Sequence, residues 1–168
     1  MRLYFMRHGA AQDRDDPESP PDPDRQLTRA GAERTREVAR GLRSLGVEPG
    51  AVLTSPYLRA VQTAAIAADG LGLDEDGLVQ TEALLPDADP AQLFAELAKV
   101  EADEVLLVGH GPSIDESLAF AVGCGRTSFT RLKKAGVACV EVEPGAEPRG
   151  RLQWLQGPKA LRRLGLAE

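Results

Sequence analysis

Short apolar runs of strand length alternate along this chain with longer segments of helical periodicity, and that alternation constrains the fold more than any other feature. Leu3-Tyr4-Phe5 reads as the centre of a strand over residues 2–6, and a polar loop rich in Asp and Pro follows from Asp13 to Gln26. Ala32, Val38, Ala39, Leu42 and Leu45 then recur at helical spacing, which predicts a helix over Arg29 to Leu45, with Thr28 as its N-cap and Gly46 as its stop. Ala51 to Thr54 reads as a short strand, and Pro56 to about Ala68 as a helix ending near Gly70. A strand near Leu78 leads through a Pro/Asp turn at 86–90 to a helix near 91–100. Strand 104–108 and a helix after Pro112 come next. Two late strands, near 137–142 and 151–156, precede a last short helix over Pro158 to Leu164. Such alternation predicts an α/β sandwich with a mostly parallel sheet. The late strand pair is placed as an antiparallel edge.

Nothing along residues 1–168 reads as a linker or an internal repeat, so one domain is expected, with a hydrophobic content of 42% sufficient for a real core. The net charge of −6 argues against nucleic acid as a partner. No apolar run approaches the roughly 20 residues that span a bilayer, and the amino terminus enters a strand pattern without a secretion signal. A monomeric cytoplasmic protein is the expectation, with Cys124 and Cys139 as reduced, unpaired thiols.

Histidine occurs only twice, and both copies follow an apolar strand run and adjoin glycine: Arg7-His8-Gly9 and Gly109-His110-Gly111. Open parallel sheets bind ligands outside the carboxyl ends of their strands, so two imidazoles brought together there would form a reaction centre. A neutral imidazole exposes a lone pair on one nitrogen once the other donates its proton, and can then act as a nucleophile. Gly9 permits close backbone approach, and Arg7 adds a planar charged fork suited to phosphoryl oxygens. Ser55 and Pro56 mark a helix start, with Arg59 near the end of its first turn, where the helix dipole disfavours a cation. A local rule broken beside a strand end points to function. Gln62 and Thr63 share the face of Arg59. His110 is placed to stabilise charge on a phosphoryl group or to transfer a proton. Together these groups suit a phosphoryl dianion, whose transfer depends mainly on charge and positioning.

Other chemistries find no support. The chain lacks the glycine-rich phosphate loop, the dinucleotide fingerprint and the nucleophile elbow. Two histidines a hundred residues apart make a poor metal signature, and the acidic loop lacks calcium-loop spacing. No metal and no cofactor are expected.

Arg7-His8-Gly9, the Ser-Pro-x-x-Arg-Ala-x-Gln-Thr run from Ser55 to Thr63, and Gly109-His110 together resemble the histidine phosphatase superfamily, which also contains the cofactor-dependent phosphoglycerate mutases. The Asp24-Arg25-Gln26-Leu27-Thr28-x-x-Gly31 stretch, the Leu85-Pro86-Asp87-Ala88-Asp89-Pro90 turn and the closing Trp154-Leu155-Gln156-Gly157-Pro158-Lys159 are similar to its small SixA-like phosphohistidine phosphatase group. The resemblance covers nearly the whole chain. It implies a three-layer α/β/α sandwich. It further implies that His8 is the phosphorylated nucleophile and that Arg7, Arg59 and His110, with Gly9, form the phosphate pocket. Larger members take a general acid from the segment after the third strand, where this chain offers Glu82, Asp87 and Asp89. Ala10 stands where many relatives carry a polar or acidic residue. A phosphohistidine substrate depends less on such an acid, because its leaving imidazole takes a proton readily. The chain is also too short for the insertions that cover the site in sugar-phosphate enzymes. The expected substrate is therefore a phosphorylated protein side chain. The alternatives are a small phosphomonoester, turned over by a phosphatase or mutase, and a non-catalytic phosphate-binding module. The basic carboxyl end (Arg149, Arg151, Lys159, Arg162, Arg163) reads first as the solvated face of a terminal helix, with docking of an acidic partner as the alternative.

Overall fold

The computed structural model describes residues 1–74, 77–143 and 148–166. Six strands form one sheet: β1 (Arg2–Arg7), β2 (Ala51–Thr54), β3 (Leu78–Gln80), β4 (Glu104–Gly109), β5 (Val137–Glu143) and β6 (Arg149–Gln156). Five α-helices accompany them: α1 (Arg29–Ser44), α2 (Leu58–Leu71), α3 (Pro90–Leu97), α4 (Ser113–Ala121) and α5 (Pro158–Leu164). The sheet order is β3-β2-β4-β1-β5-β6. The first four strands run parallel, β5 joins β1 antiparallel, and β6 pairs antiparallel with β5 at the edge.

Alternate residues of the central strands feed two cores. Leu3, Phe5, Leu53, Val105, Leu107 and Ala138 bury themselves against α3 and α4. Tyr4, Met6, Val52, Leu106, Val108 and Val137 bury themselves on the other face, with residues of α1, α2 and α5. The result is the expected three-layer α/β/α sandwich. Strands covered on both faces explain the unbroken apolar runs of β1 and β4.

Local chemistry sets the helix limits. The Thr28 hydroxyl accepts the Gly31 N–H at 2.9 Å and starts α1, and Gly46, at φ +72°, follows its end. Helix α2 departs from expectation at both ends: it begins at Leu58 rather than Pro56, and ends at Leu71 with Gly72 in the left-handed region at φ +76°. No side chain caps it. Ser55 is instead drawn away toward the site. No helix among the described residues is long and apolar enough to cross a membrane. Cys139 is buried in β5 and Cys124 is exposed after α4, both as free thiols.

Candidate active site

Strands β1 and β4 lie side by side, with Arg7 opposite Gly109, and the His8 N–H donates to the Gly109 carbonyl at 3.0 Å. The chain leaves β1 for β2 on one side of this pair, and leaves β4 for β5 on the other. A crevice between strands whose connections diverge is where open α/β sheets bind ligands. The two histidines meet in it, ring centroids 5.0 Å apart.

His8 is 6% exposed, and its tautomer is fixed by its neighbour. Nδ1 lies 2.7 Å from the Gly9 carbonyl oxygen, which can only accept. Nδ1 therefore carries the proton, and Nε2 keeps its lone pair. That lone pair accepts the Arg59 Nε–H at 3.3 Å. Burial pushes the His8 pKa down to about 3, against the Gly9 hydrogen bond, with the Arg59 and Arg7 charges adding to the fall. The ring is neutral at pH 7, as a nucleophile must be.

His110 is held from the opposite side. Its Nε2 lies 2.8 Å from the Ser55 hydroxyl, which also accepts the Tyr57 N–H at 3.3 Å. Ser55 is fully buried, so its own proton needs an acceptor, and His110 Nε2 supplies one. That arrangement places the single N–H proton of the neutral ring on Nδ1. Burial, then the nearby His8 and Arg59, lower the His110 pKa to about 2. Nδ1 of His110 and Nε of Arg7 are buried with no hydrogen-bond partner among the described residues. Donors left in this state suit a ligand's oxygens, since leaving them unmatched costs about 1–3 kcal/mol each.

Arg59 is the second residue of α2 and only 2% exposed. Besides His8 it reaches the Asp22 carbonyl at 2.6 Å and the Asp22 carboxylate at 3.3 Å. Burial alone would raise the Asp22 carboxyl, but the Arg25 hydrogen bond and the Arg59 and Arg25 charges outweigh it and hold the group below its ordinary value. The rest of the Ser55–Thr63 run serves the same centre. The Gln62 side chain accepts the Leu27 N–H at 2.8 Å, and the Thr63 hydroxyl accepts the Gly9 N–H at 3.0 Å.

A cleft of about 510 Å³ opens over these groups, lined by Arg7, His8, Arg59 and His110 together. Gly9 does not line it; both its backbone polar groups are engaged, with His8 and Thr63. A Cβ there would lie 2.6 Å from the Thr35 hydroxyl, so the position requires glycine. Glu82 lies in a 3-10 turn (Glu82–Leu84) and Asp87 in the turn beyond; both are exposed and neither lines the cleft. Asp89 caps α3 through the Ala91 N–H and pairs with Arg126. The Asp/Pro loop instead brings two carboxylates to the cleft, Asp13 on the rim and Asp22 on Arg59, and α4 buries a third, Asp115, beside Arg7. Arg14 and Arg25 of that loop also line the cleft, as do Pro86, Gly111 and Lys134. The Asp24–Gly31 stretch was the sequence signal for Arg25; nothing in the periodicity marked Asp22 or the Ser55–His110 bond. Among the described residues no group of three or more His, Cys, Asp or Glu is placed to hold a metal ion.

A neutral histidine with its lone pair turned toward a buried arginine, at the end of the first strand of this sandwich, is an arrangement suited to phosphoryl transfer. The chain belongs to the histidine phosphatase superfamily, whose branch 1 model matches residues 3–85. Within it, the chain is 35% identical over 118 residues to the phosphohistidine phosphatase SixA of Escherichia coli K12, covering 68% of this chain and 70% of that protein. An uncharacterized protein of Picosynechococcus sp. is 42% identical over 142 residues, 82% of each chain. A solved structure of the protein histidine phosphatase SixA complexed with tungstate superposes with a TM-score of 0.81 at 30% identity, covering 96% of this chain and 99% of that one. The α-ribazole phosphatase of Shigella flexneri, at 17% identity and a TM-score of 0.75 over 94% and 97% of the two chains, shares the fold.

Proposed function

We propose that this phosphatase hydrolyses protein phosphohistidine through a covalent phosphohistidine intermediate on His8. The observation that carries the reading is the neutral His8 ring with Nδ1–H committed to Gly9 and the Nε2 lone pair directed at Arg59. In the first displacement, Nε2 forms a bond to phosphorus as the bond from phosphorus to the leaving nitrogen breaks. Arg7, Arg59 and His110 hold the charge of the transferring group. The departing imidazole keeps the electron pair and takes its proton from the medium or the rim. Water then attacks phosphorus, the Nε2–phosphorus bond breaks, and inorganic phosphate leaves with His8 restored.

The choice of leaving group rests on the scarcity of acids in the cleft. Asp22 is tied to three arginines, Arg14, Arg25 and Arg59, and Glu82 and Asp87 stand outside the lining. A leaving alkoxide needs a proton far more than a leaving imidazole does. The tungstate complex of the SixA structure fits the same reading, since tungstate is a tetrahedral oxyanion like phosphate. A small phosphomonoester is the second reading, favoured by Asp13 on the rim as a proton source.

The test is to trap the phosphoenzyme from a radiolabelled phosphohistidine peptide and to compare wild type with His8→Ala. The expected label is acid-labile, alkali-stable and absent from the variant. Equal turnover by the two proteins would remove His8 from the nucleophile role. Turnover of small sugar phosphates far above that of any phosphohistidine peptide would overturn the choice of substrate.

A further inference from the structure

A second cavity of about 510 Å³ adjoins the catalytic cleft, and Arg7 and Lys134 line both. Its cations converge from three parts of the chain: Arg34 on α1, Lys133 and Lys134 before β5, and Lys159 and Arg162 on α5. Arg162 pairs with Glu37. The other four make no salt bridge among the described residues and stand exposed. In a chain of net charge −6, this concentration of unpaired positive charge at the mouth of the site is against the background.

The groove has a built floor as well as a charged rim. Ala10, Gly31, Ala135 and Pro158 line it between those cations, and glycine is required at position 31, where a Cβ would lie 2.0 Å from the Ala10 carbonyl oxygen. Ala135 adopts φ +60°, a left-handed conformation unusual for a residue with a Cβ. Its N–H donates to the Arg7 and His8 carbonyls at 3.0 and 3.2 Å. The strained turn thereby fastens Lys133 and Lys134 to the catalytic end of β1. Strain of this kind persists only where the surroundings over-determine it.

We propose that this groove docks an acidic segment of the phosphoprotein next to its phosphohistidine, an inference that rests on the phosphoprotein reading above. A small-residue floor between cationic walls fits an extended chain bearing Asp and Glu. Continuity with the cleft lets that chain run on from the phosphorylated side chain. Charges on such a rim act mainly on encounter and binding, so the groove governs KM rather than the chemical step.

The experiment separates docking from catalysis. Unphosphorylated fluorescent peptides with Asp/Glu flanks or Gln flanks around one histidine are titrated with wild type and with Lys133→Glu/Lys159→Glu, two exposed positions outside the catalytic cleft. The acidic peptide is expected to bind wild type at least tenfold more tightly than the Gln peptide does, a margin lost in the variant and in high salt. The phosphorylated acidic peptide should show a KM raised about tenfold in the variant with kcat unchanged, while para-nitrophenyl phosphate turnover stays at the wild-type level. Equal binding of the two peptides to wild type would overturn the groove, whatever the enzyme hydrolyses. Tight binding of the acidic peptide without hydrolysis of its phosphorylated form would keep the groove and overturn the phosphohistidine substrate.

Discussion

At His8 the decisive neighbour is the Gly9 carbonyl, and at His110 it is the Ser55 hydroxyl; each fixes which ring nitrogen holds the proton. Carbonyl and hydroxyl differ in one respect that matters. A carbonyl cannot be persuaded to donate, whereas a hydroxyl can turn. Ser55→Ala removes the acceptor-side control of His110 and leaves its Nε2 without a partner in a buried place. The expected loss in kcat/KM is about tenfold to a hundredfold, the rate equivalent of the roughly 1–3 kcal/mol that an unsatisfied buried polar group costs, with phosphoenzyme still detectable on His8 by rapid quench. Wild-type kinetics in the variant would show that His110 keeps its orientation by packing alone. The four principal residues, Arg7, His8, Arg59 and His110, were legible in the sequence because each lies at or just beyond a strand end or inside a dense motif. Asp22 and the pairing of Ser55 with His110 were not. Their partners are chosen by where a loop and a turn come to rest, which no periodicity records.

Among the elements described, α5 is the shortest α-helix, and it is closely fitted. Its backbone lies directly on α1: a Cβ on Gly41 would stand 1.9 Å from the Leu161 carbonyl oxygen, and one on Gly165 would meet the Glu37 carbonyl oxygen and the Gly41 nitrogen, both at 2.8 Å. Intrinsic propensity favours alanine over glycine within a helix by ~1 kcal/mol. Contact with a backbone carbonyl opposes it here, since no side chain can rotate aside. Gly41→Ala is therefore expected to destabilise the protein by about 1–3 kcal/mol, the cost of overpacking, as read from urea unfolding midpoints. A stabilised variant would show that α5 moves freely over α1. The strand and helix inventory was readable from apolar spacing. The start of α2 was misplaced, because Ser55-Pro56 carries the usual signature of a helix start while its serine is taken by His110.

For the molecule as a whole, two neutral buried imidazoles tie stability to pH. Both fold with pKa values near 3 and 2, below the ordinary 6.5, so below that pH the unfolded chain binds more protons than the native one. Stability is then fully present above about pH 6.5 and falls as the medium acidifies, by about 1.4 kcal/mol per pH unit for each histidine. Urea denaturation at pH 7 and pH 5.5 checks this, with His8→Asn and His110→Asn each removing one histidine's share of the slope. Slopes unchanged in both variants would show that the rings take up protons within the native state. The layered class and the parallel sheet followed from the alternation of runs, but the strand order did not. Which strand lies beside β1 is settled by contacts a hundred residues away, as the pairing of Arg2 with Glu104 and Arg7 with Gly109 illustrates. The first strand made is thus flanked by β4 and β5 alone, the latter beginning at Val137. A product cut short before Val137 would carry His8 with one flank of β1 unpaired, and is expected to hold the proposed nucleophile without its reactivity.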